Sequence, residues 1–380
     1  MPKFCLLLGR TPALSQLEWS AIFEGQSEVV NDRIIYFDAE LDQAKALFDR
    51  TGGALKLMEV VGETTPDTAI ADLAQKFIAE NIETYSVTSL IKDLDIDGSD
   101  IKKALRKQDI STRYLEAEAD GLSAAVLLHQ AEVVEILILP QSEATQPLLL
   151  GKTVAVQDID EWTRRDREKP YADRRKGMLP PKLARIMVNV GVGEWRKTHQ
   201  EPNPNLIYDP FCGTGTVLME AAVFGLQTVG SDLDKDAISG AFKNLEWLKR
   251  TTNLDAPFHL FPSDATSAEV SDIGRKVDVI VTEPFLGKPK PDAAQFPNIF
   301  KGLEKLYIGC FRQWTKILNN GAVICMVMPL AKVGNHSHSL ETIIDKLAQL
   351  GYTPLSAPVD YFRPQAVIHR QIWTFRYQSV

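Results

Sequence analysis

Four short stretches carry residue types able to do chemistry, and each closes an apolar run. The first is LIYDPFCGTGT at 206–216, where Asp209 precedes the glycines Gly213 and Gly215. Glycines so spaced let the chain turn sharply and bring its backbone close to a ligand, where a Cβ would collide. The third glycine of the dinucleotide fingerprint is replaced by Leu218, which argues against a dehydrogenase. The second stretch, Thr228-Val-Gly-Ser-Asp232, puts an acid 17 residues beyond Gly215, about where a ribose-binding carboxylate belongs. The third ends at Ser263-Asp264 and the fourth is Thr282-Glu-Pro-Phe-Leu-Gly287. A single acid at a strand end is as often a helix cap as a ligand contact. Successive acids behind a Gly-x-Gly turn favour a nucleotide-type ligand, with Asp232 accepting from ribose hydroxyls.

These residues need a regular frame. From residue 206 strands and helices alternate: strand 206–208, helix 216–226, strand 228–232, and helix 235–250 with Ile238, Ala241, Phe242, Leu245 and Leu248 at helical spacing. Strands 257–262 and 277–282, helix 299–318, strand 321–329 and helix 339–350 follow. Strands near 352–359 and 366–377 read as a hairpin-like pair, so one antiparallel edge is expected. The pattern predicts an open, mostly parallel sheet whose carboxyl ends form the ligand edge. A helix over 182–192, opened by Pro180-Pro181, is expected to pack on the first of these strands.

Upstream, residues 1–64 read as a small α/β (ferredoxin-like) domain: strand 3–9, helix 13–24, strand 33–37, helix 41–50 and an apolar run at 55–61. Residues 65–157 read as a second α+β unit. It includes a cationic helix at 97–108 that turns Ile101, Ala104 and Leu105 inward and Lys103, Arg106 and Lys107 outward. Residues 158–180 read as a charged linker carrying Arg164, Arg165, Arg174, Arg175 and Lys176, close to the path of a bound polyanion. Residues 181–380 form the catalytic half. Charge runs are commonly only solvated faces.

A net charge of −8 over 380 residues excludes a generally basic nucleic-acid binder, though not a local basic face. No run reaches the ~20 apolar residues of a membrane span. Four widely spaced cysteines without a Cys-x-x-Cys pair speak against structural zinc or disulfides and suit a reducing cytoplasm. His336-Ser-His338 has no cysteine or acid cluster beside it, so no metal is expected.

DPFCGTGT resembles motif I of S-adenosylmethionine (SAM)-dependent methyltransferases, particularly those acting on exocyclic amines of nucleobases. LLLGRTPALSQLEW, RTGGALKLMEVV, ADRRKGMLPPKLARIMVNVG and GSDLD, with the segment ending GKTVAVQDIDEWTRRD, are similar to the archaeal and eukaryotic tRNA guanosine-10 N2-methyltransferases. That resemblance implies an α/β protein: a C-terminal Rossmann-like SAM-dependent methyltransferase behind an N-terminal α+β THUMP-type RNA-binding region. It implies SAM as cofactor and tRNA as substrate, with room for a small activator protein or a homo-oligomer. Asp209, Phe211, Gly213 and Gly215 would meet the methionine end of SAM, Asp232 its ribose, and Asp264 its adenine amino group. In the amino-methyltransferases the fourth strand ends in Asp/Asn-Pro-Pro-Tyr/Phe. The acid or amide and the first proline carbonyl accept from the target amine, and the aromatic stacks on the base. Here Glu283 replaces the acid or amide, Pro284 is kept, and Phe285-Leu286 stand where proline and the aromatic belong. Two other readings share these motifs: a DNA amino-methyltransferase, and a non-catalytic protein that binds SAM and tRNA.

Overall fold

The computed structural model describes residues 1–130, 132–143, 145–173, 178–288, 291–333, 336–362 and 366–379. The chain divides into two compact units, one comprising Met1–Ser15 and Phe23–Glu161, the other Gln16–Ile22 and Trp162–Val380.

The first unit is built on β1 (Lys3–Leu8), α1 (Pro12–Ile22, whose later residues group with the second unit), β2 (Ser27–Asn31), β3 (Ile34–Asp38), α2 (Leu41–Arg50) and β4 (Ala54–Thr64). It continues with α3 (Ala69–Ala79), β5 (Thr84–Ser89), α4 (Gly98–Arg106), β6 (Arg113–Tyr114), α5 (Ala124–His129), β7 (Val133–Leu139), β8 (Leu148–Val156) and part of α6 (Ile159–Thr163). Its eight strands lie in one sheet, ordered β2-β3-β1-β4-β8-β7-β5-β6. The boundary expected at residue 64 therefore falls within a continuous sheet, where Thr64 of β4 pairs with Leu148 of β8. The exposed strand β2 escapes the hydrophobic pattern because it buries no side chain fully.

α4 follows its pattern. Asp97 caps it by accepting from the Ser99 amide at 2.7 Å. Ile101 and Leu105 are buried, while Lys103, Arg106 and Lys107 face solvent.

The second unit contains α7 (Pro181–Arg196), β9 (Ile207–Asp209), α8 (Thr216–Ala222), β10 (Thr228–Asp232), α9 (Lys235–Thr252), β11 (Phe258–Pro262), α10 (Val270–Ile273), β12 (Val277–Thr282), α11 (Phe296–Ile317) and β13 (Leu318–Val333). It closes with β14 (His336–His338), α12 (Ile344–Ala348), β15 (Tyr352–Pro354), β16 (Val359–Tyr361) and β17 (Ile368–Tyr377). The sheet runs β11-β10-β9-β12-β13-β17-β15. Strands β9 to β13 are parallel, and β17 enters antiparallel beside β13 and pairs with β15 at the edge. Strand order reverses at β9, which has β10 on one side and β12 on the other. Open α/β sheets bind ligands at such a switch point, outside the carboxyl ends of the strands.

Two expectations shift. α7 lies chiefly against β12, β13 and α8 rather than the first strand. A Cβ on Gly191 would come within 3.1 to 3.4 Å of Val279, Val281 and Cys325, so glycine allows that approach. The stretch expected as a linker is also structured in its first part, with α6 followed by a π-helical turn at Arg164–Glu168.

Candidate active site

The motif I turn is fixed by local backbone demands. Gly213 and Gly215 have φ of 50° and 84°, the left-handed region that favours glycine. A Cβ on Gly213 would meet nothing within 4 Å, so the turn is open there. A Cβ on Gly215 would lie 3.2 Å from Ala241 of α9. Gly213 thus faces the ligand side and Gly215 the packing side.

Strand ends β9, β10 and β12 open into one cleft of ≈ 1260 Å³, together with the segment following β11. Asp209, Phe211, Gly213, Asp232, Asp264, Glu283, Pro284 and Phe285, all expected from sequence, line it; Gly215 does not. Single-ligand pockets usually occupy about 300–1,000 Å³, so this cleft has room for a cofactor and a second group beside it.

Asp209 is buried at the end of β9. Its Oδ1 accepts from the Thr282 hydroxyl at 2.6 Å and the Phe211 amide at 3.1 Å. Burial pushes its carboxyl up to about 7. The two hydrogen bonds resist that push, and the nearby carboxylates Asp232 and Glu283 add to it. Asp232 accepts from the Gly213 amide and the Asp234 amide, each at 2.9 Å, which anchors it beside the turn. Asp264 is exposed, with Oδ1 held by the amide and hydroxyl of Thr266 at 2.8 and 2.7 Å.

At the end of β12, Glu283 Oε1 accepts from Arg370 Nε of β17 at 2.5 Å. Pro284 is buried, whereas the Phe285 ring is 58 % exposed at the mouth. The buried Tyr307 hydroxyl donates to the Phe285 carbonyl at 3.2 Å and fixes the turn from below. A rigid acceptor beside an open aromatic face can orient and stack a planar base carrying an amine.

The cations expected along an RNA path are dispersed. Lys103 and Arg106 stand on α4 in the first unit and Lys107 caps its C-terminus, with Lys103 paired with Asp100 at 2.6 Å. Arg164 donates to the Thr251 hydroxyl at 2.7 Å and lies 5.1 Å from the Trp247 ring centre. Arg165 is not presented to solvent: it is 6 % exposed, with Nε donating to Glu220 at 2.9 Å. Burial against a carboxylate makes it a packing cation and not a phosphate contact. Arg174, Arg175 and Lys176 lie outside the described residues. Sequence reasoning missed Arg370 and Tyr307, since neither belongs to a local motif and each reaches the site only through the fold. No group of three or more metal-ligating side chains occurs among the described residues. Nor is any described helix long and apolar enough to cross a membrane.

Comparison with known proteins bears on the fold and on the relatives of the chain. Residues 170–336 match the family model described as UPF0020: RMKL-like, methyltransferase domain. The tRNA (guanine(10)-N2)-dimethyltransferase of Methanothermobacter thermautotrophicus is 28% identical over 316 residues, covering 81% of this chain and 80% of that protein. Its namesake in Methanocaldococcus jannaschii is 24% identical, covering 71% of this chain and 78% of that protein. Among solved structures, TrmN from Thermus thermophilus superposes with a TM-score of 0.56 at 15% identity, over 99% of this chain and 100% of that one. SMU.472, determined complexed with SAH, gives 0.52 at 13% identity with full coverage of both chains. The second unit has the Rossmann-like methyltransferase fold.

Proposed function

We infer that this chain belongs with the tRNA guanine-10 N2-methyltransferases and transfers a methyl group from SAM to the exocyclic N2 amine of a guanine in tRNA. One observation carries the reading. The Gly-x-Gly turn with its carboxylates and the Glu283-Pro284-Phe285 strand end open into the same cleft, which is large enough for a cofactor and a base. Bound SAM supplies an electrophilic methyl group on a sulfonium. The guanine amine is a poor nucleophile because its lone pair is delocalised into the ring, so holding and polarising it matters more than deprotonating it beforehand. Glu283 accepts one amine N–H and stabilises the positive charge that develops on nitrogen as the nitrogen–carbon bond forms. The carbon–sulfur pair leaves with the thioether product, and Glu283 or water takes the amine proton. Phe285 supplies a flat, exposed face on which the base can stack. A guanine within a stem must leave the helical stack to reach this cleft.

The first unit supplies RNA binding in this reading. Residues 65–157 are its THUMP-like part, and α4 offers exposed cations for phosphate contacts. The test is methyl transfer from labelled SAM to an unmodified tRNA pool, with nucleoside analysis, wild type beside Glu283→Ala. N2-methylated guanosine from wild type, reduced about 10²–10³-fold in the variant at saturating SAM, is the expected result. Intact SAM binding with no transfer to any tRNA would overturn it.

A further inference from the structure

Lys169 has no part in the site described above, yet it is one of the most unusual side chains near it. It is 5 % exposed, and its ammonium has one hydrogen-bond partner among the described residues, the Thr216 hydroxyl at 3.5 Å. A buried cation with a single marginal neutral partner demands an explanation, because buried charges are normally paired.

The surrounding ladder supplies one. Arg165 and Lys169 lie four residues apart on the segment leaving α6, and Glu220 and Thr216 lie four apart on α8. Arg165 meets Glu220 at 2.9 Å, and Arg185 of α7 shares that carboxylate, with Nε donating at 2.8 Å. The second rung joins Lys169 to Thr216, which has no charge to offer. The segment is also tied to the motif I turn. Asn244 of α9 exchanges hydrogen bonds with the Tyr171 backbone and donates to the Thr214 carbonyl, all at 2.9 Å. Thr216 lines the cleft, and so do Asp173, Met178 and Leu179 farther along the segment. The ammonium is therefore tied to Thr216, a residue of the cleft wall next to the turn, and has no carboxylate partner of its own among the described residues. Burial, the largest effect, lowers its pKa, while the charges of Asp166 and Glu220 oppose that shift.

We propose that Lys169, together with the Thr216 hydroxyl, binds the carboxylate at the amino-acid end of SAM and of the S-adenosylhomocysteine product. This rests on the cofactor reading, and its test separates the two. Titration calorimetry would compare S-adenosylhomocysteine, its methyl ester and 5′-methylthioadenosine, which lacks the amino-acid end, on wild type and Lys169→Met. The ester should bind wild type about 10- to 100-fold more weakly than the free acid, as expected for loss of a charge-assisted hydrogen bond. Lys169→Met should lose a similar factor for the free acid, lose the preference for acid over ester, and hold 5′-methylthioadenosine as wild type does. Equal losses for all three ligands would mean that Lys169 only supports the fold. Equal affinity of wild type for acid and ester would overturn the proposal without any variant. A wild type that binds none of them would overturn the cofactor reading as well.

Discussion

Asp209 should make cofactor affinity depend on pH near neutrality, in a predictable direction. Its carboxyl titrates at about 7, well above the ordinary 3.8, chiefly because it is buried at the end of β9. With the α-ammonium of SAM set beside Asp209, as the motif I resemblance implies, the ionised form would be favoured and that pKa lowered by about 1–3 units. Below about pH 7 binding must therefore release a proton, and affinity rises with pH until Asp209 is ionised in the free protein. At about pH 6 roughly a tenth of the free protein carries the charge, so affinity should be about tenfold below its plateau. Asp232 and Glu283 face the same group, and by favouring the protonated form they hold the midpoint up. The folding contribution runs oppositely. Between about pH 4 and 7 the native state keeps a proton that the unfolded chain has released, so this group's contribution falls as pH rises through that window. Calorimetry with S-adenosylhomocysteine in two buffers of different ionisation enthalpy would measure both affinity and proton release. Asp209→Asn is the control that isolates the effect. Its affinity should be lower and lack the rise between about pH 6 and 8. Wild-type affinity that is flat over that range, or that falls, would refute the reasoning.

Replacing Glu220 by Gln leaves the guanidinium groups of Arg165 and Arg185 buried together without their shared carboxylate. Removing one partner of such a cluster costs about 3–5 kcal/mol, so thermal unfolding of the second unit should move down by roughly 6–20 °C; a shift within about 1 °C would mean that the triad is not a net support. Reversing Lys103, Arg106 and Lys107 to Glu should weaken tRNA binding and flatten its dependence on log salt by about one unit for each phosphate no longer neutralised. Cofactor affinity should stay unchanged, and unaltered tRNA affinity would remove α4 from the RNA path.

The second unit was legible because its signals are local. A buried parallel strand, a glycine turn and an acid at the next strand end are short-range patterns, and Asp209, Gly213, Asp232, Asp264 and Glu283 follow from them. The charge run at 164–169 misled for the opposite reason. Composition presents it as a solvated face, but whether an arginine meets water or a carboxylate depends on what packs against it, and Glu220 stands 55 residues beyond Arg165. In the segment after α6, Arg165 is stapled to α8 and Arg164 to α9. Continuity of the sheet across residue 64 was equally hidden. It rests on the pairing of β4 with β8, between residues some ninety apart in sequence, and no window of sequence reports such a pairing.

The replacement of Asp/Asn by Glu at position 283 acquires a rationale from the same long-range pairing. Glutamate reaches one methylene farther and would be free to sample several rotamers. β17 removes that freedom. Its antiparallel register against β13 sets Arg370 opposite Pro329, near the carboxyl edge of the sheet, and from there the guanidinium holds Glu283 Oε1. One carboxylate oxygen is thereby taken, and the other can address an amine. The second acceptor is selected by exclusion. Tyr307 occupies the Phe285 carbonyl, while no described residue donates to the carbonyl of Pro284, which lines the cleft. A carboxylate oxygen and a proline carbonyl on the two residues that follow β12 form a pair of acceptors suited to the two N–H bonds of one exocyclic amine. In the proposed reaction the altered motif would thus keep the two acceptors that the target amine requires, with the arginine from β17 supplying the rigidity that a shorter side chain would have had on its own.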